Sequence, residues 1–81
     1  MKLTLKQATK VAKTDYEIGI LSAVFELQKL GFNCNSYFET INKIDTDWED
    51  FDSENIKARN NLYALLGIKD IMNKAYNKVW R

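Results

Sequence analysis

The carboxylates of this 81-residue chain crowd into one stretch, Asp45-Thr46-Asp47-Trp48-Glu49-Asp50-Phe51-Asp52-Ser53-Glu54. Acids at that density suit divalent-cation binding, acid–base work by a carboxylate pair, or attraction of a basic partner. A calcium loop does not fit, because the sixth position of the run is Asp50 where glycine is required and the twelfth is Ile56 where a bidentate acid is required. Nothing else in the chain marks two of these acids as a catalytic pair. A divalent-cation site stands as a third reading, although the ligand spacing fits no known loop; two others stand ahead of it. In one, the run is a solvated helix face, its last acids sit at the positive end of a following helix, and Trp48 and Phe51 are core. In the other, Asp47, Glu49, Asp50 and Glu54 form a partner-binding surface with Trp48 as its anchor, meeting a basic site on a partner protein, a nucleic-acid-binding site being one candidate.

The formal net charge of +1 hides this asymmetry. Residues 37–54 carry seven acids against Lys43 alone, a net of −6, while residues 1–36 carry +2 and residues 55–81 carry +5. Lys74, Lys78 and Arg81 fall on one face of the last expected helix, opposite Ile68 and Met72. They complement the negative end of that helix dipole. Together with Lys6, Lys10 and Lys13 they are also the residues that would contact phosphate if the chain bound nucleic acid, with a salt-sensitive footprint.

The missing residues exclude more chemistry than the present ones supply. There is no histidine, and Cys34 is the only cysteine. One copy therefore cannot assemble a Cys/His zinc site, and no imidazole is present to activate a serine or cysteine nucleophile. The three glycines, Gly19, Gly31 and Gly67, are too far apart to form a phosphate-cradling loop. No metal and no cofactor are expected, and an enzyme is the least favoured class. Cys34 reads as a reduced thiol of a reducing compartment, the other reading being an intermolecular disulfide. The N-terminus lacks the apolar core of a signal peptide, and the longest nearly uncharged run, residues 18–25, is far short of a membrane span. The expected location is the cytoplasm, with no membrane partner. The Lys/Asn/Ile/Asp-rich composition fits an AT-rich bacterial or phage gene.

The elements that must position these residues are helices. Thr4 with Gln7 forms a capping-box pattern opening a short helix to about Lys13, with Leu5, Ala8 and Ala12 on one face. Thr14 with Glu17 repeats the pattern and opens a second helix, ended by Gly31 as a left-handed cap. That helix is apolar around most of its circumference, with Asp15 in its narrow polar stripe, so it is expected to be central or partly an oligomer interface. Ser36 with Glu39 opens a third, whose apolar phase runs through Tyr37, Phe38, Ile41, Ile44, Trp48 and Phe51 to about Asp52, unless Asp45 and Asp47 break it. Ser53 caps a fourth, carrying Ile56, Leu62, Tyr63, Leu65 and Leu66. The apolar arc rotates at Gly67, which separates a fifth helix over residues 69–80, with Tyr76 and Trp80 at the edge of its apolar arc.

The sequence thus predicts an all-α fold, a compact single-domain bundle of four or five short helices spanning residues 1–81. Ala8, Val11, Ala12, Thr14, Ile18 and Leu21 stand at spacings that resemble a helix-turn-helix. However, Lys13 occupies an apolar turn position, and Asp15 and Glu17 would face the phosphates, so the motif is not assigned. The functional expectation is a non-catalytic protein that occupies a macromolecular partner through the acidic surface, as an inhibitor, adaptor or immunity-type factor. The alternatives are a DNA-binding regulator and a self-associating component whose second helix supplies a homodimer interface.

Overall fold

The computed structural model describes residues 2–43 and 51–80. The chain is all-α: among the described residues there are five helices and no strand, α1 (Leu5–Glu17), α2 (Ile20–Lys29), α3 (Asn35–Lys43), α4 (Phe51–Leu65) and α5 (Lys69–Val79). The shortest extent is 19 Å, about two helix diameters, so the helices form two layers. α1 packs most extensively on α5 and next on α2, while α3 packs on α4 and α4 on α5.

The capping box at Thr4 is present as the sequence indicates. The Gln7 amide donates to Thr4 Oγ1 at 3.2 Å, and the Thr4 amide donates to Gln7 Oε1 at 3.1 Å. The expected stop near Lys13 is not observed, and α1 continues for another turn. Thr14 is an interior residue whose hydroxyl donates back to the Lys10 carbonyl at 2.9 Å, so the second capping-box pattern caps nothing. The phase explains the difference: Ala8, Val11, Ala12 and Asp15 form one continuous buried stripe at spacings of three and four. Burial of that stripe overrides the local capping preference of Thr14.

Glycines set the ends of α1, α2 and α4. Gly31, at φ +96°, carries paired closing bonds after α2, from the Phe32 amide to the Leu27 carbonyl (3.1 Å) and from the Gly31 amide to the Gln28 carbonyl (3.0 Å). Gly67 repeats this arrangement after α4, with the Ile68 amide on the Tyr63 carbonyl and the Gly67 amide on the Ala64 carbonyl. Each cap tucks the apolar residue after it, Phe32 or Ile68, toward the core. At α3 the Asn33 side chain accepts from the Asn35 amide at 3.0 Å, so the helix starts ahead of Ser36, which lies inside it. Ser53 likewise lies inside α4. The expected continuous run from Tyr37 to Asp52 crosses residues 44–50, which lie outside the described residues.

The core is one cluster centred on Ala8, Val11 and Ala12 of α1, Ala23, Val24 and Leu27 of α2, Leu62 and Tyr63 of α4, and Met72 and Ala75 of α5. Small residues on α1 and α5 let those two backbones approach closely. Cys34 and Tyr37 are buried beside them, and burial pushes the Cys34 thiol up from its ordinary pKa. A buried thiol of raised pKa is a packing residue and is poorly placed for an intermolecular disulfide.

Gly19 separates α1 from α2 at φ +124° and ψ 168°, a region almost confined to glycine. A Cβ there would meet nothing within 4 Å, so Gly19→Ala costs backbone strain alone, about 1–3 kcal/mol. Gly67→Ala, at φ +69° and equally uncrowded, is expected to cost about 1–2 kcal/mol. Urea unfolding of both variants checks the pair; unchanged midpoints would contradict the two turns.

Candidate interaction surface

Extending α1 through Glu17 turns Asp15 inward. Its side chain is fully buried and faces the α4 residue Arg59, 44 positions away in sequence. Arg59 Nη2 donates to Asp15 Oδ1 at 3.2 Å, and Arg59 Nε forms an ion pair with Oδ2. Tyr63, one turn after Arg59, donates its hydroxyl to Asp15 Oδ2 at 3.4 Å and exchanges a hydrogen bond of 3.0 Å with the Tyr76 hydroxyl of α5. The Arg59 guanidinium also lies 5.2 Å from the centre of the Tyr76 ring, within cation–π range. One buried carboxylate thereby links α1, α4 and α5.

Burial raises the Asp15 carboxyl above its ordinary value, partly opposed by the charge and hydrogen bond of Arg59 and by the hydrogen bond from Tyr63. Burial and the nearby Asp15 charge push the Tyr63 phenol far up, so it stays a neutral donor. The sequence pattern sets Asp15 in the polar stripe of a second helix opening at Thr14. It does not lie there, because the turn falls at Ile18 and Gly19 and the carboxylate points into the core. The available signal was the phase: once α1 is allowed to continue, an acid stands on its apolar stripe and demands a cation partner.

α2 is not buried on all sides. Ala23, Val24 and Leu27 face the core, whereas Ile18 (72% exposed), Leu21 (59%) and Phe25 (60%) face outward. Phe25 and Leu21 are one helical turn apart, and Ile18 precedes them at the turn, so the three form an apolar stripe. The stripe is flanked by charge. Glu26 is held by Lys10 of α1 (3.5 Å) and Lys29 (3.4 Å); against a desolvation that would raise it, these two cations keep its carboxyl below the ordinary range. A second exposed aromatic feature is the edge-to-face pair of Tyr16 and Trp80, with ring centres 4.6 Å apart. Trp80, expected at the rim of the core, is 60% exposed.

Above Arg59 and Tyr63, α4 and α5 enclose an open cleft of about 510 Å³ whose walls include Ile56, Asn60, Asn73, Asn77 and Trp80. Its walls carry amides and aromatic rings, and the cation among them is already committed to Asp15. No group of His, Cys, Asp and Glu residues able to hold a metal occurs among the described residues.

Lys6, Lys10 and Lys13 lie exposed on α1, with Lys10 engaged by Glu26, and Lys74 and Lys78 lie exposed on α5. Asp47, Trp48, Glu49, Asp50 and Arg81 lie outside the described residues. Glu54 falls within α4, with its side chain also outside them. No helix among the described residues is long and apolar enough to cross a membrane. No protein-family model, curated protein or solved structure matches the chain.

Removing Arg59 would leave a buried, unpaired carboxylate. Arg59→Met is expected to cost about 3–5 kcal/mol at pH 7. Because the folded-state pKa of Asp15 is already above 3.8, the native protein binds this proton more readily than the unfolded chain does. The contribution of Asp15 to stability therefore rises as pH falls through its raised pKa toward 3.8 and is lost in the opposite direction. In Arg59→Met the carboxyl loses its cation and that pKa rises further, so the deficit of the variant should shrink on acidification. Denaturant midpoints between pH 7 and pH 4 measure it, and a deficit that grows toward pH 4 would contradict the pairing.

Proposed function

We propose that this protein is a non-catalytic binding protein that works by occupying a macromolecular partner. The observation that carries the reading is the exposed stripe of Ile18, Leu21 and Phe25. Leu21 and Phe25 on one face of the ten-residue α2, with Ile18 at the turn before it, are not needed by the core, which α2 supplies from its other side through Ala23, Val24 and Leu27. Contiguous exposed apolar surface of this kind is typical of contact sites. The helix behind it is anchored by the buried Ala23, Val24 and Leu27 and by its closing glycine cap, so the apolar face is presented in a fixed geometry, which lowers the ordering cost of binding.

The acidic residues Asp47, Glu49, Asp50 and Glu54, with Trp48, are the second part of the proposal. They would steer the chain toward a basic protein surface and speed encounter more than they deepen affinity. Direct binding of nucleic acid is the second reading, supported by the repeated Asn-Lys pairs Asn73-Lys74 and Asn77-Lys78 exposed on α5 beside Trp80. Carboxamides can pair with base edges, lysines with phosphates, and an exposed indole can stack.

The test is tagged capture from cells with nuclease treatment, comparing the native chain with Leu21→Glu/Phe25→Glu and with charge reversal at Asp47, Glu49, Asp50 and Glu54. A bound protein that survives nuclease and is lost at least tenfold in the stripe variant is the expected result. Equal capture by the native chain and the stripe variant would refute the role of the stripe. Recovery of nucleic acid alone, with salt-sensitive retention, would transfer the reading to α5.

A further inference from the structure

On the reading of α5 as a helix that meets nucleic acid, we infer that the cleft it forms with α4 takes one unpaired nucleobase, carried by a single strand or by a free nucleotide. The two walls share one helical spacing. On α4 they are Ile56, Arg59, Asn60 and Tyr63, and on α5 Asn73, Tyr76, Asn77 and Trp80. Each set stands at i, i+3, i+4 and i+7, so two turns of one helix present a single stripe to two turns of the other. Trp80 follows the last residue of α5, but its amide still donates to the Tyr76 carbonyl at 2.9 Å, which keeps it in register. Stripes that seal a helix pair are aliphatic, whereas Ile56 is the only aliphatic residue of these two.

The chemistry of the walls selects the occupant. Among the described residues no hydrogen bond engages the side chains of Asn60, Asn73, Asn77 or Trp80, so three carboxamides and an indole N–H line the cleft open to a ligand. An aliphatic ligand would leave those groups unpaired. An anion would find the one cation of the walls, Arg59, already paired with the buried Asp15. A carboxamide sets a donor beside an acceptor in one plane, which matches the edge of a base. Tyr76 and Trp80 supply ring surface for stacking, and Tyr16 of α1 braces the indole edge-to-face. The volume of about 510 Å³ lies within the roughly 300–1,000 Å³ usual for small-molecule sites. A base paired in a duplex offers neither its pairing edge nor its face, so the cleft selects unpaired ones. Lys74 and Lys78 each follow a cleft asparagine by one step of about 100° around α5, which sets two exposed cations beside the cleft for the attached phosphate.

NMR titration of the isotope-labelled full chain tests this, with nucleosides, their monophosphates, ribose phosphate, and short single-stranded and duplex DNA as probes. Nucleosides are expected to bind with dissociation constants on the order of 0.1–1 mM, shifting the side-chain amides of Asn60, Asn73 and Asn77 and the Trp80 indole. Trp80→Ala should weaken binding about tenfold and Asn77→Leu about fivefold, with circular dichroism to confirm that both fold. Lys74→Glu/Lys78→Glu should weaken the monophosphate and leave the nucleoside unchanged. A single strand held at least about tenfold more tightly than the monophosphate would identify a strand as the source, and equal affinity a free nucleotide; either upholds the pocket. Nucleoside binding unchanged in Trp80→Ala and Asn77→Leu would overturn it. Ribose phosphate or duplex bound as well as the nucleotide would also overturn the base pocket, while leaving α5 a phosphate-binding helix. No binding of any probe would remove both.

Discussion

The buried pair of Asp15 and Arg59 is the constraint on which the rest of this bundle depends. An ionised carboxylate has only one acceptable orientation in an apolar core, toward its cation. That fixes the rotation of α1 about its own axis, since Asp15 shares a stripe with Ala8, Val11 and Ala12. It also fixes α4, because Arg59 and Tyr63 must both reach the carboxylate, and Tyr63 in turn sets the position of Tyr76 on α5. With α1 locked in rotation, the short turn at Gly19 leaves α2 little choice of direction. Which face of α2 meets solvent is therefore decided at a site on other helices. A buried charge pair of this type contributes little net stability but discriminates strongly against alternative packings of similar apolar area, which a bundle rich in interchangeable Leu, Ile and Ala faces would otherwise admit.

The architecture was legible wherever sequence pattern and backbone chemistry agreed. The Thr4 capping box, the left-handed closures at Gly31 and Gly67, and the phase shift separating α4 from α5 could all be read without coordinates, because each is a local rule with a local outcome. Legibility failed where a tertiary contact overruled a local one. Thr14 and Glu17 spell a helix start, yet three buried residues ahead of them continue in phase, and the energy of burying that stripe exceeds a cap worth about 1 kcal/mol. Moving this one boundary moved Asp15 from a surface residue to the centre of the polar cluster.

The candidate surface was half legible for a related reason. A helix apolar over most of its circumference invites the conclusion that neighbours surround it. In this bundle α1 and α2 pair, and α1 turns its remaining inner surface to α5, so among the described residues no helix covers Leu21 and Phe25. Composition reports how apolar a helix is but not how many neighbours the topology can supply. Trp80 illustrates the same limit: expected at the edge of the apolar arc, it lies just past the end of α5 and stays 60% exposed, with Tyr16 packed edge-to-face against it.

Among the described residues the most extensive pairing joins α1 to α5. During synthesis α1 emerges early with α2 beside it, but its Asp15 has no cation until Arg59 of α4 has been made, and its small residues have no α5 to cover them until residues 68–79 follow. That stripe waits in contact with water or with a chaperone through most of translation. The bundle is then closed by a contact of long sequence separation, which adds an entropic cost of closure and leaves any product lacking α5 without its seal. For so small a bundle this makes α5 the checkpoint for stability: a polypeptide lacking it is exposed to proteolysis, and only a chain carrying it withdraws its core from surveillance.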